Sequence, residues 1–446
     1  LAFEQKTNQP ITLAADFSRA VIICGKRGSG KSYTMGVIAE ELAKQDHFLI
    51  ILVDPMGVFW SMGLSISDCG LRISDLAPPD TNSEIRNPQS EIKVNILVPG
   101  DPAERYSPRA LARMRELGVQ INRISLDPAA LSAEAWCELF NISMSQPLGI
   151  CLYRAVRNCQ KRKGESGKGK MEGGRGKTEK GQGSGEEEIH SPPSPFHSPF
   201  SIKDLMRAVE SDGQAADVTR QALINRLDMA DQWGIFAQAC PEPGRRDGEL
   251  EKGLKVDHVN VLDLSIIDPG LHGLRNLLVA LLCRDLFAQR IRARREEELG
   301  LIDLERRVWL LIDEAHQFVP TGRASIAKDV LIRWVKEGRQ PGLSLVAVSQ
   351  QPGAIDADLL SQCDLLVIHK LTAQEDLTAV SRLGQTYIRG DLKVYLKQVR
   401  NTGEVVIVDD HAERLWMGKV RERETRHAGG ELPLAEIGGG GEGGTK

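Results

Sequence analysis

Residues 20–32 constrain the fold more than any other stretch of the chain. Ala20 to Cys24 form an uninterrupted apolar run, AVIIC, that ends on Gly25. A glycine-rich turn follows, Gly25-Lys26-Arg27-Gly28-Ser29-Gly30-Lys31-Ser32, and it leads into SYTMGVIAEELAKQ. A short apolar run closed by glycine reads as a buried strand, and apolar residues at three- and four-residue spacing read as a helix. Strand, turn and helix in this order, carrying G-x-x-x-x-G-K-[ST], fit a phosphate-binding loop. The glycines let backbone N–H groups converge on phosphate oxygens, and the helix N-terminus adds its positive dipole end. Lys31 would reach the β- and γ-phosphates of ATP, and the Ser32 hydroxyl would ligate Mg²⁺. The expected nucleotide contacts are therefore Gly25, Lys26, Arg27, Gly28, Ser29, Gly30, Lys31, Ser32 and the adjoining Tyr33. The competing reading is a glycine turn that holds no nucleotide.

A second acidic site lies 282 positions beyond Lys31. Val308-Trp309-Leu310-Leu311-Ile312 is an apolar strand that runs into Asp313 and Glu314. A pair of carboxylates at the end of a buried strand is costly unless it meets a cation or water. Asp313 suits the outer shell of Mg²⁺, and Glu314 suits the polarisation of an attacking water. A helix N-cap followed by an acid in the first turn would also end a strand this way. LSLVAVS (343–349) ends on Gln350, which could sense the γ-phosphate or position water, or simply mark a strand-to-loop transition. Arg339 closes the helical stretch 325–337 and is a candidate arginine finger for a neighbouring subunit; a helix C-terminal arginine complementing the dipole is the plainer alternative.

Further apolar runs alternate with helical patterns. FLIILVD (48–54), IKVNILV (92–98), HVNVLDLSII (258–267) and CDLLVIHK (363–370) read as strands, and residues 274–298 as a long helix. This alternation predicts an α/β fold with a mostly parallel sheet. Residues 1–128 form the first part of the core, 129–240 an inserted helical subdomain, 241–410 the second part, and 411–446 a C-terminal extension. Within the insertion, residues 160–200 are rich in Gly, Lys, Glu, Ser and Pro with almost no aliphatics. Such a segment cannot bury enough apolar surface to offset its chain entropy, so it is expected to be disordered, as is the tail IGGGGEGGTK. Arg292, Arg294 and Arg295 precede a Glu run and read as a solvated helix face.

Composition excludes several classes. The chain has 446 residues with 57 Lys+Arg against 61 Asp+Glu, a net charge of −4, so it is no globally basic nucleic-acid wrapper. Local basic linings remain compatible with this balance. Aromatics at 5% argue against a surface built for stacking single-stranded bases. Eight cysteines without a CxxC pair disfavour zinc and disulfide frameworks, and a reducing cytoplasm is the simplest compartment. No apolar run has membrane-spanning length, and LAFEQKTNQP contains no secretory h-region. The first residue is Leu, which fits a processed product or a fragment.

Several stretches together resemble the HerA-type ATPases of the HerA/FtsK class of P-loop motors. They are GKRGSGKSYTMG, DPMGVF (54–59), DEAHQFVP (313–320), KEGRQPGLSLVAVSQQP (336–352), CDLLVIHKLTAQEDL (363–377) and the arginine-rich Lys419–His427. The resemblance covers roughly residues 20–60 and 255–430. It implies a RecA-like P-loop NTPase core, a hexameric ring, ATP-driven translocation on or unwinding of double-stranded DNA, and a partner nuclease of the NurA type. Two departures stand out. Only 24 residues precede Gly25, where the family carries a small β-barrel. Val58 and Phe59 stand where the family's second strand ends in Glu and Tyr. Asp313-Glu314-Ala315-His316 also spells the box of superfamily 2 helicases, but no later glutamine-and-arginine block follows. A VirB4-type conjugation or secretion ATPase shares the loop motifs. A nucleotide-dependent scaffold with little turnover is the further alternative, motivated by Val58.

Overall fold

The computed structural model describes residues 1–5, 7–64, 92–166, 200–236, 253–268, 272–383 and 389–428. Twelve strands among them form one sheet. In chain order they are β1 (Ala2–Glu4), β2 (Pro10–Ile11), β3 (Ala20–Cys24), β4 (Phe48–Asp54), β5 (Val94–Pro99), β6 (Gln120–Ile124), β7 (Val259–Asp263), β8 (Arg307–Ile312), β9 (Leu343–Ser349), β10 (Leu365–Ile368), β11 (Glu404–Asp409) and β12 (Arg414–Val420). Their spatial order is β2-β1-β12-β11-β10-β3-β9-β8-β4-β7-β5-β6. The run from β10 to β6 is parallel, and the four strands beyond β10 pair antiparallel. Pro10 sits on the edge strand, where its missing N–H costs no ladder bond.

The helices are α1 (Lys31–Ala43), α2 (Pro102–Arg105), α3 (Pro108–Glu116), α4 (Ala133–Leu139), α5 (Pro147–Ser166), α6 (Ile202–Glu210), α7 (Asp217–Gln232), α8 (His272–Glu298), α9 (Ile326–Glu337), α10 (Ala357–Leu360), α11 (Gln374–Leu383) and α12 (Arg389–Gln398). Strands covered on both faces lose the apolar–polar alternation of half-exposed sheets. Every residue of β3 and β9 is accordingly buried. Along β3, Ile22 and Cys24 join the core on one face, and Val21 and Ile23 the core on the other. Met35, Val37, Ile38 and Leu42 of α1 fill the second face. The first face carries α8, whose Leu277, Leu278, Val279, Leu281, Leu282 and Cys283 are all buried. A helix apolar around most of its circumference must be covered on more than one side. Here α8 lies against α9 and α4, and the apolar interior of α4–α7, with Trp136 at its centre, is continuous with the sheet core. Helices α4–α7 share one core with the sheet.

Three features differ from the sequence expectation. The half-buried β6 was not anticipated, because QINRI lacks an apolar run; it extends the sheet beside β5. Helix α5 continues through Ser166, so residues 160–166 of the stretch expected to be disordered are helical. The remainder of that stretch up to residue 199, and the glycine-rich tail, lie outside the described residues. The expected C-terminal extension 411–446 instead supplies β12, whose Arg414–Lys419 pair with β11, because the apolar VVIVD strand needs a neighbour on each side. Arg292 and Arg295 are exposed as expected, while Arg294 pairs with Glu297 and Glu298.

A row of asparagines ties β6, β5, β7 and β4 together. Asn122 Nδ2 donates to Asn95 Oδ1 (2.6 Å), Asn95 Nδ2 to Asn260 Oδ1 (2.8 Å), and Asn260 Nδ2 to the Ile50 carbonyl (3.0 Å). Asn95 and Asn260 are fully buried, so each amide depends on the next for its partners. A one-residue slip of any of these strands would point its asparagine to the wrong face. Asn260→Ala should therefore destabilise the fold by about 2 kcal/mol or more, because buried donors and acceptors lose their partners. Urea unfolding reads this directly; a midpoint equal to that of the parent protein would contradict it.

Candidate functional site

Parallel α/β sheets bind ligands beyond the C-terminal ends of their strands. Five such ends converge here. β3 delivers the turn Gly25–Ser32, β8 delivers Asp313 and Glu314, β9 delivers Gln350, β4 ends on Asp54, and β10 runs into His369. The adjacency of β3 to β9, and of β9 to β8, brings together residues 281 positions apart.

The turn adopts the conformation its glycines permit. Gly28 (φ 74°) and Gly30 (φ 102°) lie in the left-handed region that disfavours other residues. Gly25 is required by space instead: a Cβ there would stand 2.6 Å from both His369 Cβ and Ser29 Oγ. Lys26, Arg27 and Gly28 form the exposed apex, while Ser29 and Lys31 are buried. The Lys31 ammonium donates to the Lys26 carbonyl at 2.9 Å, across the mouth of the loop. The Ser32 hydroxyl donates to Asp313 Oδ2 at 2.9 Å. Asp313 Oδ1 accepts the Glu314 N–H at 2.9 Å.

Charge is concentrated behind this contact. Burial pushes the Asp313 carboxyl up to about 6, the Glu314 charge adds to the rise, and the Ser32 hydrogen bond opposes it. Burial also lowers Lys31, against the attraction of Glu314 and Asp313. Asp54 is fully buried and pushed up to about 7 by burial, although it accepts the N–H groups of Phe59, Gly57 and Met56. Those bonds shape the turn that carries the half-buried Val58. The acids beside Lys31 would be relieved by a divalent cation. A hydroxyl and one carboxylate suit Mg²⁺, a hard cation that keeps water and phosphate oxygens in its shell and needs no all-protein cage. Among the described residues no cluster of three or more His, Cys, Asp or Glu offers such a cage.

Glu314 is 8% exposed and holds an αL backbone (φ 48°, ψ 45°), an uncommon state for a residue other than glycine. Gln350 Nε2 donates to its Oε1. Its Oε2 has no hydrogen-bond partner, with His316 Nδ1 3.4 Å away.

Of the expected site residues, the structure gathers Gly25, Gly28, Ser29, Gly30, Lys31, Ser32, Asp313, Glu314 and Gln350, with Lys26 and Arg27 at the exposed apex of the loop. Two lie elsewhere. The Tyr33 hydroxyl accepts the Arg423 N–H at 2.6 Å, and the Arg423 guanidinium stands 5.8 Å from the ring centre. Tyr33 therefore serves a C-terminal docking contact. The same contact buries Glu40, whose carboxylate burial alone would raise but which Thr425 and Glu424 hydrogen bonds and the Arg423 charge hold low. Gly36 is needed there because a Cβ would approach the Arg423 guanidinium to 2.5 Å. Arg339 is exposed and precedes β9, so it sits at the end of the sheet opposite the loop, about 20 Å away at the rise of a strand. Its carbonyl accepts from Ser18. At that distance its side chain does not reach the loop of its own chain.

No sequence motif assigns a role to His369 or Thr34. His369 is fully buried beneath the loop, with Nε2 2.9 Å from Thr34 Oγ1, and Thr34 Oγ1 also donates to the Gly30 carbonyl. Nothing in the chain order indicates that β10 lies beside β3, which is what places the histidine there.

Comparisons with known proteins identify related chains. A family model described as the central domain of the helicase HerA matches residues 3–286. A Methanocaldococcus jannaschii protein described as a probable helicase is 33% identical over 135 residues, which is 30% of this chain and 26% of that protein. The DNA double-strand break repair helicase HerA of Sulfurisphaera tokodaii is 27% identical over 193 residues, covering 42% of this chain and 37% of that protein. The chain thus spans about a quarter to two fifths of the length of these relatives. The structure of VirB4 from Thermoanaerobacter pseudethanolicus superposes with a TM-score of 0.56 at 14% identity, over 95% of this chain and 96% of that one. That likeness establishes a shared RecA-like P-loop fold. No helix among the described residues is long and apolar enough to cross a membrane.

Burial and the Lys31 charge lower His369 to about 4, and burial lowers His427 to about 4 as well. A base depressed in the folded state contributes stability that is complete above the unfolded value near 6.5 and lost as pH falls towards 4. Stability should therefore decline between pH 6.5 and 4, and less steeply in His369→Gln. Urea midpoints across that range test this; an unchanged slope in the variant would count against a buried neutral histidine.

Proposed function

The chain belongs to the family defined by the central domain of the helicase HerA, and from that premise we propose that it is an ATP-hydrolysing motor, working as a hexameric ring on double-stranded DNA. The observation that carries the reading is the 2.9 Å contact between Ser32 Oγ and Asp313 Oδ2. It sets the phosphate-binding turn directly against the acid pair.

The loop N–H groups and the Lys31 ammonium would hold the β- and γ-phosphates. Ser32 and Asp313 would hold Mg²⁺, which when bound neutralises charge on the phosphate oxygens. Glu314 takes a proton from the attacking water as the oxygen closes on the γ-phosphorus. The bond to the β-phosphate oxygen breaks, and ADP and phosphate leave. Val58 supplies no charge where the family carries an acid, so Glu314 bears the proton transfer alone. Arg339 acts in the neighbouring copy, stabilising charge on the transferring phosphoryl group. A partner nuclease of the NurA type, implied by the resemblance, would extend this to DNA-end processing.

A VirB4-type secretion ATPase would use the same loop and acid pair. The response to duplex DNA separates the two. Purified protein should hydrolyse ATP, and duplex DNA should raise the rate, the stimulation fading as salt displaces phosphate contacts. Turnover indifferent to duplex would favour the secretion reading, and absence of turnover the scaffold. Lys31→Ala and Arg339→Ala should each abolish hydrolysis, with nucleotide binding spared in Arg339→Ala. Mixing the two inactive variants should restore part of the rate, because some boundaries then pair an intact Lys31 with an intact Arg339. Mixtures as inactive as their components would remove Arg339 from that role.

A further inference from the structure

We propose that Thr34 and His369 are positioning residues for the phosphate-binding turn: together they hold the Gly30 carbonyl down along α1 and so aim the Lys31 N–H the other way, at the β-phosphate. The inference rests on the reading of the turn as a nucleotide site.

The carbonyl and the N–H of one trans peptide plane point in opposite directions. Whatever anchors the carbonyl of one residue therefore also directs the N–H of the next. Gly30 needs such an anchor. Its φ of 102° is open to it because it has no side chain, and the same lack leaves its backbone free to depart from that conformation. Thr34 gives the Gly30 carbonyl two donors, its N–H at 2.9 Å and its hydroxyl at 3.1 Å. The preceding carbonyl, that of Ser29, accepts the Gly403 N–H at 3.4 Å. Two consecutive peptide planes of the turn are thus tied to the surrounding protein through their carbonyls.

The Thr34 hydroxyl needs a hold of its own, because threonine in a helix divides between two rotamers. His369 supplies it, with Nε2 2.9 Å from Thr34 Oγ1. A hydroxyl carries one hydrogen. Given to the Gly30 carbonyl, it leaves Thr34 Oγ1 to accept at the ring, which assigns the imidazole proton to Nε2. The imidazole donates to the hydroxyl, and the hydroxyl donates to the glycine carbonyl. Bonds chained in this way polarise and strengthen one another, the more so out of water, and both side chains are fully buried. The ring is fixed in turn. The His369 N–H donates to the Cys24 carbonyl at 2.8 Å, and its Cβ fills the space that a Cβ on Gly25 would need. The end of β10 thereby reaches the phosphate site through one buried side chain and sets the direction of an N–H it does not touch.

The test uses the full chain with Thr34→Val and His369→Leu, which remove the hydroxyl and the ring donor. Thr34→Ser and His369→Gln keep a hydroxyl and a nitrogen near the place of Nε2. Binding of a fluorescent ADP analogue and steady-state ATP hydrolysis are measured for each. Thr34→Val and His369→Leu should each weaken the analogue and raise KM for ATP by about tenfold, with kcat changed by less than about threefold, because the β-phosphate contact is common to ground and transition states. Thr34→Ser and His369→Gln should recover most of the affinity. The double variant should bind no more than about threefold more weakly than either single one, since both break the same relay. Affinity in Thr34→Val and His369→Leu within about twofold of the parent would overturn the assignment. So would losses that multiply in the double variant, or affinity and melting temperature that fall together without rescue by serine or glutamine, the pattern of residues that only support the fold. A parent protein that does not bind the ADP analogue would show that the nucleotide reading has failed; a parent that binds it, with single variants that match the parent, would show that only the present inference has failed.

Discussion

The hydrogen bond from Ser32 to Asp313 closes the site. It joins the first turn of α1 to the end of β8 and places a buried ammonium, a hydroxyl and two carboxylates within one small volume. Taking those charges out of water is unfavourable unless they meet one another or a ligand. Burial accordingly raises Asp313 and lowers Lys31. In the proposed function, a triphosphate and its cation would each supply charge that the protein alone leaves partly unbalanced.

The rest of the molecule keeps those groups in place. Five neighbouring parallel strands deliver the site's side chains at one edge, and the cores on both faces leave the strands little freedom to shift. The buried asparagines fix the register of β4, β7, β5 and β6. The C-terminal segment is anchored to α1 through Glu40, Arg421 and Arg423, and to the turn after Val58 through Ser61. The helix that carries Lys31 and Ser32 is thereby tied to the last described residues of the chain. The exposed Arg339 lies at the far end of β9 from Gln350. The two ends of one strand thus carry Gln350 at the loop and Arg339 about 20 Å from it.

Much of this was legible in the chain. The parallel strands read as apolar runs because both their faces are covered, and the loop reads as a phosphate cradle because Gly25, Gly30, Lys31 and Ser32 fit G-x-x-x-x-G-K-[ST] between a strand and a helix. Asp313 and Glu314 stood out because acids at the end of a buried strand require a partner. The edge was less legible: β6 is half-buried and polar, and a strand of that kind carries no strong local signal. Tyr33 was grouped with the loop by adjacency, yet it faces Arg423, a residue 390 positions away.

The sequence by itself determined the local elements and the chemical types at their ends: a glycine turn before a helix, and a carboxylate pair after a strand. These follow from backbone sterics and from the cost of burying charge, which act over a few residues. Only the tertiary structure decided which strand ends are neighbours. The order β10-β3-β9-β8-β4 puts His369 under the loop, Ser32 on Asp313, and Gln350 and His316 around Glu314. Strand order is set by packing summed over the whole sheet, and no single segment carries that information.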